Sequence, residues 1–479
     1  MRADGLWLVR LLFQRGLAAI YVLAFWSALN QFRALLGERG LLPVPDFLRH
    51  VRVLDSPTLF HLHYSDRFFL LLGSIGLALS TAALLGLTDS GPLWLSIVCW
   101  LVLWIIYLSI VNVGQTFYAF GWESMLLEAG FFAAFLGPKA MAVPAIPLWL
   151  LRWMLFRVEL GAGLIKLRHD RCWRDLTCLH YHYETQPLPN PLSWYFHRLP
   201  KSFHKLSVLF SHAVQLVAPF GLFAPQPIAM IAGALIIFHQ LWLVVSGNYS
   251  WLNWITIVLG ITAFSLPAPS AIVYAVPGWY DRACWMLAGM TAVLSIRPAL
   301  NLVSRHQAMN LNYNALHVVN TYGAFGSVTK ERYEVVLEGT EDPSKDDWRE
   351  YEFRAKPGDP RRRPPQIAPY HLRLDWLMWF LPFSVVRTSR GVYTSGHERW
   401  FVRLVAKLLD GDRATLALLR RDPFDGRRPK LVRARFVRYQ FTSWQERKQS
   451  RVWWKRTPVG DYLPPVSLDD LKDAVNLND

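Results

Sequence analysis

Cysteine is nearly absent from this sequence, with four in 479 residues, and that excludes a scaffold built on disulfides. Cys99 and Cys284 sit in apolar runs and read as buried thiols, so only Cys172 and Cys178 are placed to form a local bridge. A phosphate loop, a dinucleotide fingerprint and the HExxH, GxSxG and paired CxxC patterns are all missing, which removes the common soluble chemistries. No internal repeat with paired broken helices points to a transporter. Charge is scarce too, at 18% of residues. The net +16 comes with no nucleic-acid motif, so it implies contact with anionic headgroups or orientation bias and not nucleic acid. The first apolar run, residues 11–29, continues without a small-residue cleavage site and is expected to remain as an anchor.

What the chain has in quantity is apolar and aromatic surface, 53% and 14% of residues, too much for an ordinary soluble protein of this size. Runs at 11–29, 68–87, 93–111, 145–167, 206–223, 227–246, 250–266 and 284–303 are each near the length a helix needs to cross about 30 Å of hydrocarbon. The predicted fold is therefore a polytopic all-α membrane bundle of about eight spanning helices over residues 1–304. A short re-entrant or interfacial helix is expected within 112–138, where the apolar half is only about 14 residues long. Its Glu123 and Glu128 lie about 140° apart on a helix, so they read as cap residues or as members of a buried polar network, not as a carboxylate pair. Residues 168–205 are polar, aromatic and rich in proline, and read as a folded cap. Four expected spans separate this cap from residue 305, which puts both on the same side. Loops 30–67 and 168–205 carry five and six Lys and Arg, so orientation is unmarked.

Residues 305–479 read as a water-facing α+β domain with antiparallel strands. Alternation in 332–338 and 349–354, joined by GTEDPSKDD, predicts a hairpin. Helical stretches are expected near 375–380 and 399–409, and a last strand at 432–441. The arginines of RRRPP (361–365) suit a solvated loop, and Trp444, Trp453 and Trp454 suit a membrane interface.

Chemically distinctive residues concentrate in 161–191, GAGLIKLRHDRCWRDLTCLHYHYETQPLPNP. In the helix leading into it, Arg152, Glu159 and Lys166 recur every seven residues and share one face, with a drift of only about 20° per step. A charge at the bilayer centre costs roughly 2.5–3.5 kcal/mol, so this stripe should face the bundle or a wet cavity. With His182 and Glu184 it forms the candidate functional network. His180, His182 and Glu184 would fall on one side of an extended segment, but two histidines one residue apart are a weak zinc signal, and no metal or other cofactor is assigned. The Asn248-Tyr249-Ser250 sequon lies in a turn too near the membrane to carry a glycan.

The blocks GQTFYAFGWESMLLEAGFFAAFLGP, GAGLIKLRHDRCWRDLTCLHYHYETQPLPNPLSWYFH, SGNYSWLNWITI, NTYGAFGSVTKERYEVVLEG and the closing PPVSL resemble the lipase maturation factor family, in its order, over about residues 10–468. The resemblance implies an assembly factor for secreted lipases, with those lipases and membrane lipids as partners. It implies residence in the endoplasmic reticulum membrane, or in the cytoplasmic membrane for a bacterial chain. An oxidising lumen on the cap side further implies a Cys172–Cys178 bridge. His180 departs from the family, which reads Asp there. More loosely, GAGLIKLRHDRCWRD is similar to a segment of vitamin K-dependent carboxylases. That likeness implies an alternative, an enzyme with Lys166 as base beside a quinone.

Overall fold

A computed structural model of the protein describes residues 5–266, 273–388, 391–394 and 396–471. Among the described residues, four helices are long and apolar enough to cross a membrane: Trp7–Leu36, Asp66–Leu85, Leu93–Asn112 and Ile228–Ser246. Trp7–Leu36, at 30 residues, is about 45 Å long and overshoots the hydrocarbon. Its last turns carry Ser27 and Gln31, which bond to the backbone of His371 and Arg373. Asp66–Leu85 starts at Ser65, whose hydroxyl accepts from Phe68 N, and stops at Gly86 in the left-handed region. Leu71, Ile75, Leu85, Ile231 and Phe238 are exposed, as befits side chains turned to lipid.

The expected eight spans are not all of this kind. Residues 284–303 belong to a pair, Gly278–Leu294 and Ile296–Val303, bent by 41°, which counts as a fifth span only if the two are taken together. Residues 250–266 form a helix only over Leu252–Ile261, about 15 Å, half the hydrocarbon thickness. Lys201–Leu216 is 16 residues long and turns at Pro219 into Ala218–Gly221. Ala145–Arg168 is long enough at 24 residues, but its charged side chains keep it out of the apolar class. The short apolar helix, Gly121–Ala133, is packed inside the protein, with Trp122 to Gly130 buried without a break. Its two carboxylates explain this, because each finds an arginine inside.

In the C-terminal region a four-stranded antiparallel sheet has the order Arg349–Glu350, Arg332–Thr340, Leu431–Phe441, Trp454–Val466. The hairpin expected between the first two is reduced to the pairs Glu338–Glu350 and Gly339–Arg349, whereas Arg332–Thr340 pairs along its whole length with Leu431–Phe441. Trp454–Val466 was not expected as a strand, since Pro458, Pro464 and Pro465 argue against one. It lies at the sheet edge, where proline is tolerated. Trp453 and Trp454 are accordingly buried, packing with Trp194, Tyr439 and Phe441, while Trp444 is exposed. The basic loop is also less free than expected: Arg362 donates to Phe353 O at 2.7 Å, and Arg363 to Pro191 O at 3.0 Å. Arg373–Met378 and Arg399–Asp410 are helices, but the first is buried against the bundle.

Cap and sheet meet directly. The Trp194 indole donates to Thr442 O at 2.9 Å, and Arg332 donates to Gln186 O at 2.5 Å and Pro187 O at 3.0 Å. Cap and sheet are therefore packed against each other.

Candidate functional site

The site is built on Ala145–Arg168. Its Gly161 permits a close approach of the 318–328 loop, since a Cβ there would collide with Tyr322 O. Gln307 caps the contact by donating to Gly161 O at 2.9 Å. Five residues further on, Lys166 is buried, and its Nζ donates to Gln215 Oε1 at 2.6 Å while lying 5.0 Å from the Trp173 ring. One heptad earlier, Glu159 Oε1 accepts from Gln240 Nε2 at 2.7 Å, and Gln240 Oε1 in turn accepts from Asn253 Nδ2 at 2.7 Å. Glu159 Oε2 is buried without a partner at hydrogen-bond distance, and the Gln215 amide is the other side chain that acts on this carboxylate.

His182 closes the group from the cap. The Tyr249 hydroxyl donates to Gln186 Oε1 at 2.5 Å, so the 2.8 Å contact between His182 Nε2 and Tyr249 Oη has the histidine as donor. Burial first, and the Lys166 charge second, push the His182 pKa down to about 4, which keeps the ring neutral.

Glu159, Lys166 and His182 line one cavity of about 650 Å³, with Gln215, Gln240 and Asn253 as further polar walls and Met125, Val158, Leu243 and Phe325 as apolar ones. A second cavity of about 370 Å³ shares Lys166, His182, Leu243 and Phe325. Both volumes fall in the range of small-molecule sites.

The other members of the expected network lie elsewhere. Arg152 is two heptads from Lys166 and donates to Thr262 O at 2.8 Å and Leu222 O at 3.2 Å, beside the Trp149 ring. It joins helix ends. Glu184 accepts from Phe441 N at 2.7 Å and lies 3.8 Å from His197, so it ties the cap to the sheet. Burial raises its pKa. The expected extended segment around it is a helix, Leu179–Thr185. Residues two apart on a helix point to opposite sides, so His180 turns to His204, 5.6 Å between rings, while His182 turns to Tyr249.

Two of the buried ion pairs hold Glu123 and Glu128, and the sequence did not name their partners. Arg157 contacts Glu128, and Arg373 Nη1 donates to Glu123 Oε1 at 2.7 Å. Both glutamates thus belong to buried polar networks, one of the two readings their sequence allowed. The signal was the charge itself in an apolar context. Nothing local named the partners, 29 and 250 residues away.

Cys172 and Cys178 are bridged, with Cα atoms 4.8 Å apart. Asp170 and the two sulfurs lie within 4.8 Å of one another, but the sulfurs are bonded together and Asp170 accepts from Cys172 N and Val328 N. The bridge anchors Trp173, whose indole donates to Phe325 O at 2.8 Å. Replacing both cysteines by serine is expected to lower stability by about 2 kcal/mol, from the loop-closure entropy of so small a ring. Thermal melting of the full chain in detergent measures it, and an unchanged midpoint would refute it.

Asn248 is 1% exposed; its amide donates to Pro189 O and Pro365 O and accepts from Ile367 N and Ala368 N. As expected, no glycan fits there.

Against known proteins, the model of the lipase maturation factor transmembrane domain matches residues 8–267, and that of the lipase maturation factor C-terminal domain matches residues 318–464. Lipase maturation factor 1 of Mus musculus is 42% identical, covering 98% of this chain and 88% of its own length. Lipase maturation factor 1 of Homo sapiens is 41% identical over 97% and 89%, and lipase maturation factor 2 of Homo sapiens 29% over 97% and 83%. No solved structure matches the chain.

Proposed function

This chain belongs to the lipase maturation factor family, and from that premise we propose that it is a membrane-embedded factor that helps secreted lipases reach their active, assembled form. The observation that carries the proposal is the extent of the match: relatives named for lipase maturation align with nearly the whole chain, bundle and C-terminal region together. The carboxylase-like alternative receives no such support, because its likeness is confined to one segment.

Its membrane is that of the endoplasmic reticulum, and the cap and C-terminal sheet face the lumen. The Cys172–Cys178 bridge suits that oxidising compartment. Eight crossings are reached if Ala145–Arg168, Lys201–Leu216, Leu252–Ile261 and the bent pair each traverse the bundle, the first three keeping their polar groups away from lipid. Residues 1–304 then form the transmembrane unit and 305–479 the luminal one. The segment around Arg373 is the peg between them. Within the expected network, Glu159, Lys166 and His182 are the functional members, while Arg152 and Glu184 hold the frame.

The test is complementation. Cells lacking their own lipase maturation factors, and producing a secreted dimeric lipase, should regain secreted activity when this chain is expressed. Lipase secreted at the empty-vector level, with the chain present in the membrane at normal abundance, would overturn the proposal.

A further inference from the structure

The 650 Å³ cavity combines features that packing alone does not account for. Glu159 is 0% exposed, yet its Oε2 lacks a partner. Lys166 has three donor hydrogens and Gln215 Oε1 as its acceptor. Lys166 and Glu159 are not bonded to each other: the Gln215 amide accepts from Lys166 and also acts on the Glu159 carboxylate, which Gln240 bonds from the other side. Most buried polar groups in native proteins are paired. An acceptor and donors that line one cavity are placed to receive the polar end of a ligand.

The rest of the wall describes its apolar end. Met125, Val158, Leu243 and Phe325 line the cavity, and Phe380 and Phe383, 42% and 50% exposed, line it while reaching the surface. Exposed apolar side chains at the rim suit an acyl chain better than a water-soluble metabolite.

We propose that this cavity binds one uncharged single-chain lipid whose head both donates and accepts hydrogen bonds, the monoacylglycerol class. A head hydroxyl donates to Glu159 Oε2, and a second hydroxyl or the ester carbonyl accepts from Lys166 Nζ. The chain lies among the apolar residues and leaves past Phe380 and Phe383. Charge decides the class. Glu159 and Lys166 sum to zero, so a neutral head satisfies both. A carboxylate would pair with Lys166 but repel Glu159 and leave Oε2 unpaired, and an amine would do the reverse. This reading does not depend on the client, so it stands or falls separately from the role in lipase maturation.

The experiment uses the full chain in phosphatidylcholine nanodiscs and three probes with one acyl length: 1-monooleoylglycerol, oleic acid and oleylamine. The expected result is at least tenfold tighter binding of 1-monooleoylglycerol than of either charged probe. In Glu159→Gln the remaining charge is that of Lys166, and preference should move to oleate. In Lys166→Met it should move to oleylamine. These shifts distinguish ligand contact from a merely structural role, which would change stability without reordering the probes. Should the variants fail to fold, the wild-type ranking alone decides. Equal binding of the three probes, binding of none, or a stoichiometric quinone in the lipid extract would overturn the proposal.

Discussion

Arg157→Met should destabilise the protein by about 3–5 kcal/mol, the usual cost of leaving one partner of a buried ion pair alone. Arg157 and Glu128 are 1% and 0% exposed at their side chains, and hydrocarbon surrounds the bundle, so water cannot take the place of the lost partner. Glu128 is held by more than the arginine: it accepts from Asn320 N at 2.9 Å, Asn320 Nδ2 at 3.1 Å and the Tyr322 hydroxyl at 2.8 Å. Those bonds would survive the substitution, but they are made by neutral groups and cannot offset the charge. Arg157 also donates to Asn320 O at 2.5 Å, so the loop that roofs the cavity would lose an anchor. Glu128→Gln should cost a similar amount by stranding the guanidinium. The double variant Arg157→Met with Glu128→Gln should lose less than the sum, because no buried charge remains. A double-mutant cycle of melting measurements in detergent reads this coupling directly. Single substitutions that each cost under about 1 kcal/mol would show that the pair does not hold the bundle.

What the sequence made legible, and what it hid, follows from the range of each physical signal. Apolar runs report on one helix at a time, so Asp66–Leu85, Leu93–Asn112 and Ile228–Ser246 were visible within two residues, and Trp7–Leu36 was visible but read seven residues short at its polar C-terminal end. Leu252–Ile261 was overread because the turns flanking it are as apolar as the helix, and hydropathy alone does not distinguish a helix from buried irregular backbone. Trp454–Val466 was underread for the opposite reason, since its prolines are compatible with a strand only at an edge that the sequence does not reveal. The heptad of Arg152, Glu159 and Lys166 placed three charges on one face, and two of them share a cavity. A face is not a site, however. Arg152 is captured by Thr262 and Leu222 carbonyls, which tertiary packing alone brings within reach. The partners of Glu123 and Glu128 were hidden for the same reason.

The largest expected effect on domain organisation comes from Arg373→Met. Arg373–Met378 is a single buried turn and a half from the C-terminal region, wedged between the bundle helices. Its backbone is tied at one end, where Gln31 accepts from Arg373 N at 2.9 Å and donates to His371 O at 2.7 Å. The guanidinium supplies the rest: it donates to Glu123 Oε1 at 2.7 Å and Phe117 O at 2.9 Å, and lies 3.4 Å from the Tyr118 ring centre. His371, 3.8 Å from the same carboxylate, does not serve as a second cation, because burial above all, then the Arg373 charge, holds its pKa at about 4. The charge balance at the peg is therefore one carboxylate against one guanidinium. Removing the arginine leaves the Glu123 carboxylate, which accepts from the Tyr107 hydroxyl, buried with no countercharge, at a cost of about 3–5 kcal/mol. Unlike the Arg157 pair, this one joins two regions far apart in sequence, so the cost should appear as release of the peg before the bundle melts. A loss of about 3 kcal/mol raises the undocked population roughly 100-fold. Hydrogen exchange over residues 368–380 should accelerate by that factor in Arg373→Met, while exchange in Trp7–Leu36 before Ser27 stays as in the wild type. Glu123→Gln combined with Arg373→Met should recover much of the protection. Uniform acceleration throughout the bundle in Arg373→Met would mean that the segment is part of one cooperative core and not a peg.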